Sequence, residues 1–157
     1  MKILVLYDSL HGNTERIAKS IFKEIENKGN NKCISVENIT LDDLKDLDLL
    51  IVGSPTHGGT AKPSLLEFLK SIPNDLLTNM KVASFDTRFL EKDLKWALKL
   101  LVKTIGYAAP KISKILESKG AKSIIEPEGF IVKDTKGPIA DGELERAREW
   151  GKTLSNL

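Results

Sequence analysis

The run Asp8-Ser9-Leu10-His11-Gly12-Asn13-Thr14 is the first place where residue types and spacing point to chemistry. Ser9, Asn13 and Thr14 supply side-chain donors. Gly12 permits a tight turn that can aim several amide N–H groups inward. A helical pattern follows at once, and the positive end of a helix dipole favours an anion. Such a loop can hold a phosphate-like group by neutral donors. It contains no lysine, which separates it from a Walker loop, and no cysteine, so it offers no thiolate nucleophile. The competing reading is an ordinary strand-to-helix turn capped by Asn13.

Two more polar loops follow apolar runs. Ser54-Pro55-Thr56-His57-Gly58-Gly59-Thr60 comes after Leu47–Val52, and Phe85-Asp86-Thr87-Arg88-Phe89-Leu90 after Val82–Phe85. The elements that must position these loops alternate. Ile3–Tyr7 and Leu47–Val52 read as strands buried on both faces, and Cys33–Val36 as a short strand. Thr14–Lys28 carries Ile17, Ala18, Ile21, Phe22 and Ile25 on one helical stripe, with Gly29 as its stop. Pro63 suits a first helical position, with Ser64 and Glu67 at capping-box spacing. Residues 92–105 read as a helix with Leu94, Ala97, Leu98, Leu101 and Ile105 at core spacing, and Trp96 and Trp150 read as packing residues. A helix from Pro110 to Gly120, β segments at Ser123–Ile125 and Phe130–Val132, and a helix from Asp141 to Leu154 complete the chain. Strands alternating with helices imply a parallel sheet covered on both faces, with ligands bound beyond the carboxyl ends of the strands.

The length of 157 residues suits one domain, residues 1–157. Charge is balanced, 24 basic against 22 acidic residues, which argues against nucleic acid and membrane surfaces as partners. No apolar run approaches a membrane span, and Ile3–Tyr7 is too short for a signal peptide. The single Cys33 cannot form an internal disulfide, which fits a reducing, cytoplasmic location.

The stretch from Val5 through Asp8-Ser9-Leu10-His11-Gly12-Asn13-Thr14 to Ala18 resembles the flavodoxin signature: an apolar strand, a hydroxyl-rich Gly-Asn-Thr loop, then a helix. The resemblance runs the length of the chain. It implies a three-layer αβα sandwich with a five-stranded parallel sheet of order 2-1-3-4-5 and FMN at the switch point. The short gap between Ile125 and Phe130 matches the short-chain type. By the same resemblance Ser9, Leu10, His11, Gly12, Asn13 and Thr14 would hold the FMN phosphate. Ser54, Pro55, Thr56, His57, Gly58 and Gly59 would flank the flavin ring, His57 packing on it and the Gly58–Gly59 peptide turning over on reduction. A four-residue turn from His57 to Thr60 would exchange type II for type II′, with positive φ at Gly59 and Gly58 respectively. Phe85, Asp86, Thr87, Arg88 and Phe89 form the third loop. It departs from the family pattern in lacking glycine, Trp and Tyr, and Phe89 is its best ring cover.

The implied function is electron transfer between protein redox partners, by a monomer or weak dimer. Two others are weighed against it: an NAD(P)H-dependent FMN or quinone reductase, which would oxidise NADPH unaided, and a flavin-free regulatory domain, which would purify without cofactor.

Overall fold

The structure is a computed structural model describing residues 1–90 and 95–157. In β1 (Ile3–Tyr7) side chains alternate across the strand, and both directions are apolar. Ile3 and Val5 enter one core, Leu4 and Leu6 the other. A strand buried this way needs helices on each side. In chain order the elements after β1 are α1 (Asn13–Lys23), β2 (Lys32–Ser35), β3 (Leu49–Pro55), α2 (Pro63–Ser71), β4 (Lys81–Arg88), α3 (Trp96–Ile105), α4 (Ala108–Ser118), β5 (Lys122–Ser123), β6 (Glu128–Ile131) and α5 (Glu143–Leu154). Helices α1 and α5 cover one face through Ile17, Ile21, Trp150 and Leu154. Helices α2 and α4 cover the other through Leu65, Leu69, Ile112 and Leu116. This is the expected three-layer αβα sandwich, with all strand pairs parallel and order 2-1-3-4-5.

The fifth position is shared by two short strands. β5 pairs with Lys81 and Val82, and β6 with Phe85 to Arg88. Three steps along β4, from Val82 to Phe85, are matched by five along its neighbour, from Ser123 to Glu128. Pro127 lies in that widened stretch, where its lack of an N–H leaves no ladder bond unmade.

At the carboxyl end of the sheet Phe85, Phe130 and Trp150 pack edge to face, with ring centroids 6.0 to 6.1 Å apart. Gly53 lies opposite Phe85 on β3, and a Cβ there would fall 2.0 Å from Phe85 Cζ. The absence of a side chain at 53 is therefore what seats the Phe85 ring.

Several local expectations are corrected. Helix α1 ends at Lys23, before Gly29, and Ile25 is buried from the turns that follow. At α2 the Ser64 hydroxyl donates to the Asp8 carboxylate instead of capping the helix, so the tertiary partner prevails over the local one. Asp141 does not cap α5, which starts after Gly142 in the left-handed region; its carboxylate lies outside, 3.3 Å from Lys133 Nζ. Trp96 is 80% exposed and not a packing residue, and Ala97 and Ile105 of the expected core stripe are exposed too. Leu94 lies outside the described residues, as do the side chains of Leu98 and Leu101. Trp150 is in the core as expected.

Burial pushes the Cys33 thiol up from 9.0 to about 12. The folded state thus prefers the neutral thiol. Its stabilising contribution is complete below pH 9 and is lost as pH rises towards 12. Native Cys33 should react with Ellman's reagent at pH 8 on the order of a hundredfold more slowly than in urea; equal rates would show an accessible thiolate.

Candidate functional site

The three polar loops meet beyond the carboxyl ends of β1, β3 and β4, around one cleft of about 280 Å³. In the first loop Gly12 takes φ +85° and precedes the first residue of α1. The Ser9 hydroxyl oxygen accepts from the Gly12 amide at 3.1 Å and the Glu15 amide at 3.3 Å, leaving its own hydrogen to donate. Asn13 and Thr14 are in the first turn, where amides have no intrahelical acceptor. Ser9, Leu10, His11, Asn13 and Thr14 line the cleft, and Gly12 shapes the turn behind them. His11 is exposed. Buried Thr14 Oγ1 lies 2.8 Å from Thr87 Oγ1, joining the first loop to the third.

In the second loop Pro55, Thr56, His57, Gly58 and Gly59 line the cleft. Ser54 stands behind the wall: its buried hydroxyl accepts from the Lys62 amide at 3.0 Å and donates to the Pro55 carbonyl, bracing the loop. His57 and Thr60 exchange both backbone hydrogen bonds, at 2.8 and 3.1 Å. Gly58 and Gly59 have φ +55° and +75°. Two positive φ values define a type I′ turn, not the expected type II or II′. The reciprocal pairing explains this, since a primed turn matches the twist of paired backbone. A Cβ at Gly59 would meet Ile105 Cγ2 at 2.1 Å, whereas one at Gly58 would meet nothing within 4 Å.

In the third loop Thr87, Arg88 and Phe89 line the cleft. Phe85 belongs to the core, and Asp86 is buried beneath Arg88. Residues 86 and 88 share one side of β4, and the guanidinium forks onto the carboxylate with Nε–Oδ1 2.6 Å and Nη2–Oδ2 2.8 Å. The Ala109 amide at the start of α4 donates to the same carboxylate at 2.8 Å. Burial raises the Asp86 carboxyl above its ordinary value, opposed by Arg88, the Ala109 amide and Thr56. Arg88 lies 3.7 Å from the centroid of the Tyr107 ring.

A model of the flavodoxin domain matches residues 4–127 of the 157. The chain belongs to the flavodoxin family. An uncharacterized protein of Methanocaldococcus jannaschii, MJ0298, is 35% identical over 88 residues, 55% of this chain. That match spans 54% of the relative, about half its length. Among solved structures, a flavodoxin from the domain Archaea superposes with TM-score 0.79 at 22% identity, covering 99% of this chain and 97% of its own. Flavodoxin 1 of Bacillus cereus superposes with TM-score 0.73 at 22% identity, covering 100% and 99%. At that identity the likeness is one of fold.

Four lining residues of this flavodoxin-family cleft are not among those picked out by sequence: Ile105, Tyr107, Val132 and Thr135. Tyr107 ends the link between α3 and α4 and adds a second aromatic wall to the one that Phe89 of the third loop supplies. Its signal in the sequence is faint: an aromatic just before a helix start, behind Gly106. Val132 and Thr135 follow β6; Val132 reads from sequence as the end of a β segment, and nothing in residue type singles out Thr135.

Charges around the cleft are largely paired internally. Buried Asp8 holds Lys62 Nζ at 2.6 Å, Asp86 holds Arg88, and Glu15 holds Lys19 at 2.6 Å. Lys19 draws the Glu15 carboxyl below its ordinary value. Burial, with Glu15 nearby, pushes the Tyr7 phenol up to about 12. Among the described residues no helix is long and apolar enough to cross a membrane.

Proposed function

We propose that the cleft binds FMN and that the protein carries electrons between protein redox partners. The observation that carries this reading is the convergence on one cleft of a neutral, donor-rich helix N-terminus and an apolar slot walled by the His57–Gly59 turn, Phe89 and Tyr107. The donor set suits a phosphate: Ser9, Asn13 and Thr14 with the first-turn amides of α1. The slot suits a flat ring, with Pro55 available to its face, while the Thr56 hydroxyl, which accepts from the Ala108 amide at 2.9 Å, and the Thr87 hydroxyl, paired with Thr14, brace its walls. FMN would supply one- or two-electron transfer there. The chain's own part is to seat the phosphate, to exclude water with apolar walls, and to fix Tyr107 by stacking Arg88 on it. FMN should bind at least about a hundredfold more tightly than riboflavin, which lacks the phosphate, and Thr14→Val should narrow that gap. Equal affinity for the two flavins would show that the first loop is not a phosphate site.

Local charge also bears on redox behaviour. In sequence, the three loops and their flanks carry four acidic residues, Asp8, Glu15, Asp86 and Glu91, and four basic ones, Arg16, Lys62, Arg88 and Lys92. Glu91 and Lys92 lie outside the described residues. Asp8–Lys62 and Asp86–Arg88 are ion pairs and present no net charge to the cleft. Repulsion of the second electron should therefore be weak, each removed unit charge being worth about 1 kcal/mol or less when solvated. The potential for adding that electron should be less negative than in flavodoxins with an acidic rim; a redox titration placing it as low as theirs would contradict the charge argument.

A further inference from the structure

Helix α3 presents an exposed surface that neither the fold nor the cleft uses. Its first residue, Trp96, is 80% exposed, and Leu100, one turn on, is 62% exposed. In a monomeric protein large apolar side chains standing out together mark a contact surface. Beside this stripe run Lys95, Lys99 and Lys103, spaced by four and so aligned on one face. Lys95 and Lys103 are exposed and Lys99 is half-buried, and no acidic residue occurs from Lys95 to Ile105. The far end of the same helix reaches the cleft, since Ile105 lines it and Tyr107 follows two residues later.

We infer that α3 is the docking face for an acidic electron-transfer protein, with Trp96 as the apolar anchor and Lys95, Lys99 and Lys103 as the steering charges. Charge decides among the occupants. A second copy of this chain, docked isologously, would set lysine stripe against lysine stripe, and like charges across an interface are repelled. A partner with carboxylates around an apolar contact meets both stripes, and an exposed Trp is a common anchor of such contacts. Position gives the contact its use: a protein seated on α3 lies against the helix that ends in the cleft wall. This inference rests on the electron-transfer reading of that cleft.

The test uses the full-length, FMN-loaded protein with an acidic two-cluster ferredoxin as probe and a basic cytochrome c as its counterpart. Calorimetry at low salt should give ferredoxin binding that weakens on the order of tenfold or more at physiological ionic strength. Lys99→Glu with Lys103→Glu should weaken it by about tenfold or more and turn preference towards the cytochrome. Trp96→Ala should weaken it several-fold and leave the salt dependence unchanged. Lys122→Glu, on β5, should change nothing; urea unfolding checks that every variant is folded. Ferredoxin binding that is absent, or indifferent to the α3 charges, overturns the inference. So does Trp96-dependent capture by phosphatidylserine vesicles without ferredoxin binding, or a dimer in sedimentation that Trp96→Ala dissolves. Repeating the titration without FMN separates the two readings. A chain that takes up no flavin yet binds ferredoxin through α3 loses its proposed function and keeps this surface. A chain that binds FMN but ignores the α3 charges does the reverse.

Discussion

Replacing Gly59 by alanine should raise the FMN dissociation constant on the order of a hundredfold, and Gly58→Ala only about tenfold. Both glycines sit at positive φ, where a Cβ costs about 1–2 kcal/mol. Only at Gly59 does the Cβ also collide, 2.1 Å from Ile105 Cγ2, and overpacking adds about 1–3 kcal/mol. An exposed turn relaxes when the cleft is empty, so the strain returns as the turn is rebuilt around a ligand and is read in affinity. The double variant Gly59→Ala/Ile105→Ala should regain about tenfold. Fluorescence titration of the four proteins measures this, and equal losses at the two glycines would mean that Ile105 does not back the turn. The type I′ geometry also shifts the expected switch. Turning over the central peptide of a type I′ turn gives type II′, which keeps positive φ at Gly58 and reverses it at Gly59. Gly59, not Gly58, is then the position at which a side chain would bias one state over the other.

A second large effect should appear in stability. Gly53→Ala should cost about 3 kcal/mol or more, read as a fall in the urea midpoint without a change of slope. The inserted methyl would overlap Phe85 ring atoms at 2.0 to 2.4 Å. Neither side can yield easily, since Gly53 is laddered to both Tyr7 and Phe85, and the ring is wedged against Phe130 and Trp150. Phe85→Leu should itself be destabilising yet make Gly53→Ala cheaper by at least about 1.5 kcal/mol in a double-mutant cycle. Strict additivity would show that the contact is relieved elsewhere.

What the sequence reveals and what it conceals follow from locality. The strand, Gly-Asn-Thr turn and helix of the first loop are contiguous, so residue type and spacing suffice to place Ser9, Asn13 and Thr14 together. The Asp86–Arg88 fork was not legible, because the apolar run marks a strand only over Val82–Phe85, whereas β4 continues to Arg88 and so puts the two side chains on one face. Tyr107 and Thr135 reach the cleft from links after α3 and β6, and only tertiary placement brings them in. Ser54 shows a different limit. A hydroxyl in a loop can face a ligand or brace its own backbone, and here the Lys62 amide claims it. Trp96 fails for a third reason: helical spacing identifies a stripe but not which side of the helix meets the sheet.

FMN binding is tested most directly by adding FMN to the flavin-free protein while following flavin fluorescence. Uptake should be saturable at one FMN per chain, with emission quenched as the ring enters the slot between the His57–Gly59 turn and Tyr107, and the protein should be yellow when purified without stripping. A colourless protein that leaves FMN fluorescence unchanged at micromolar concentrations would contradict it.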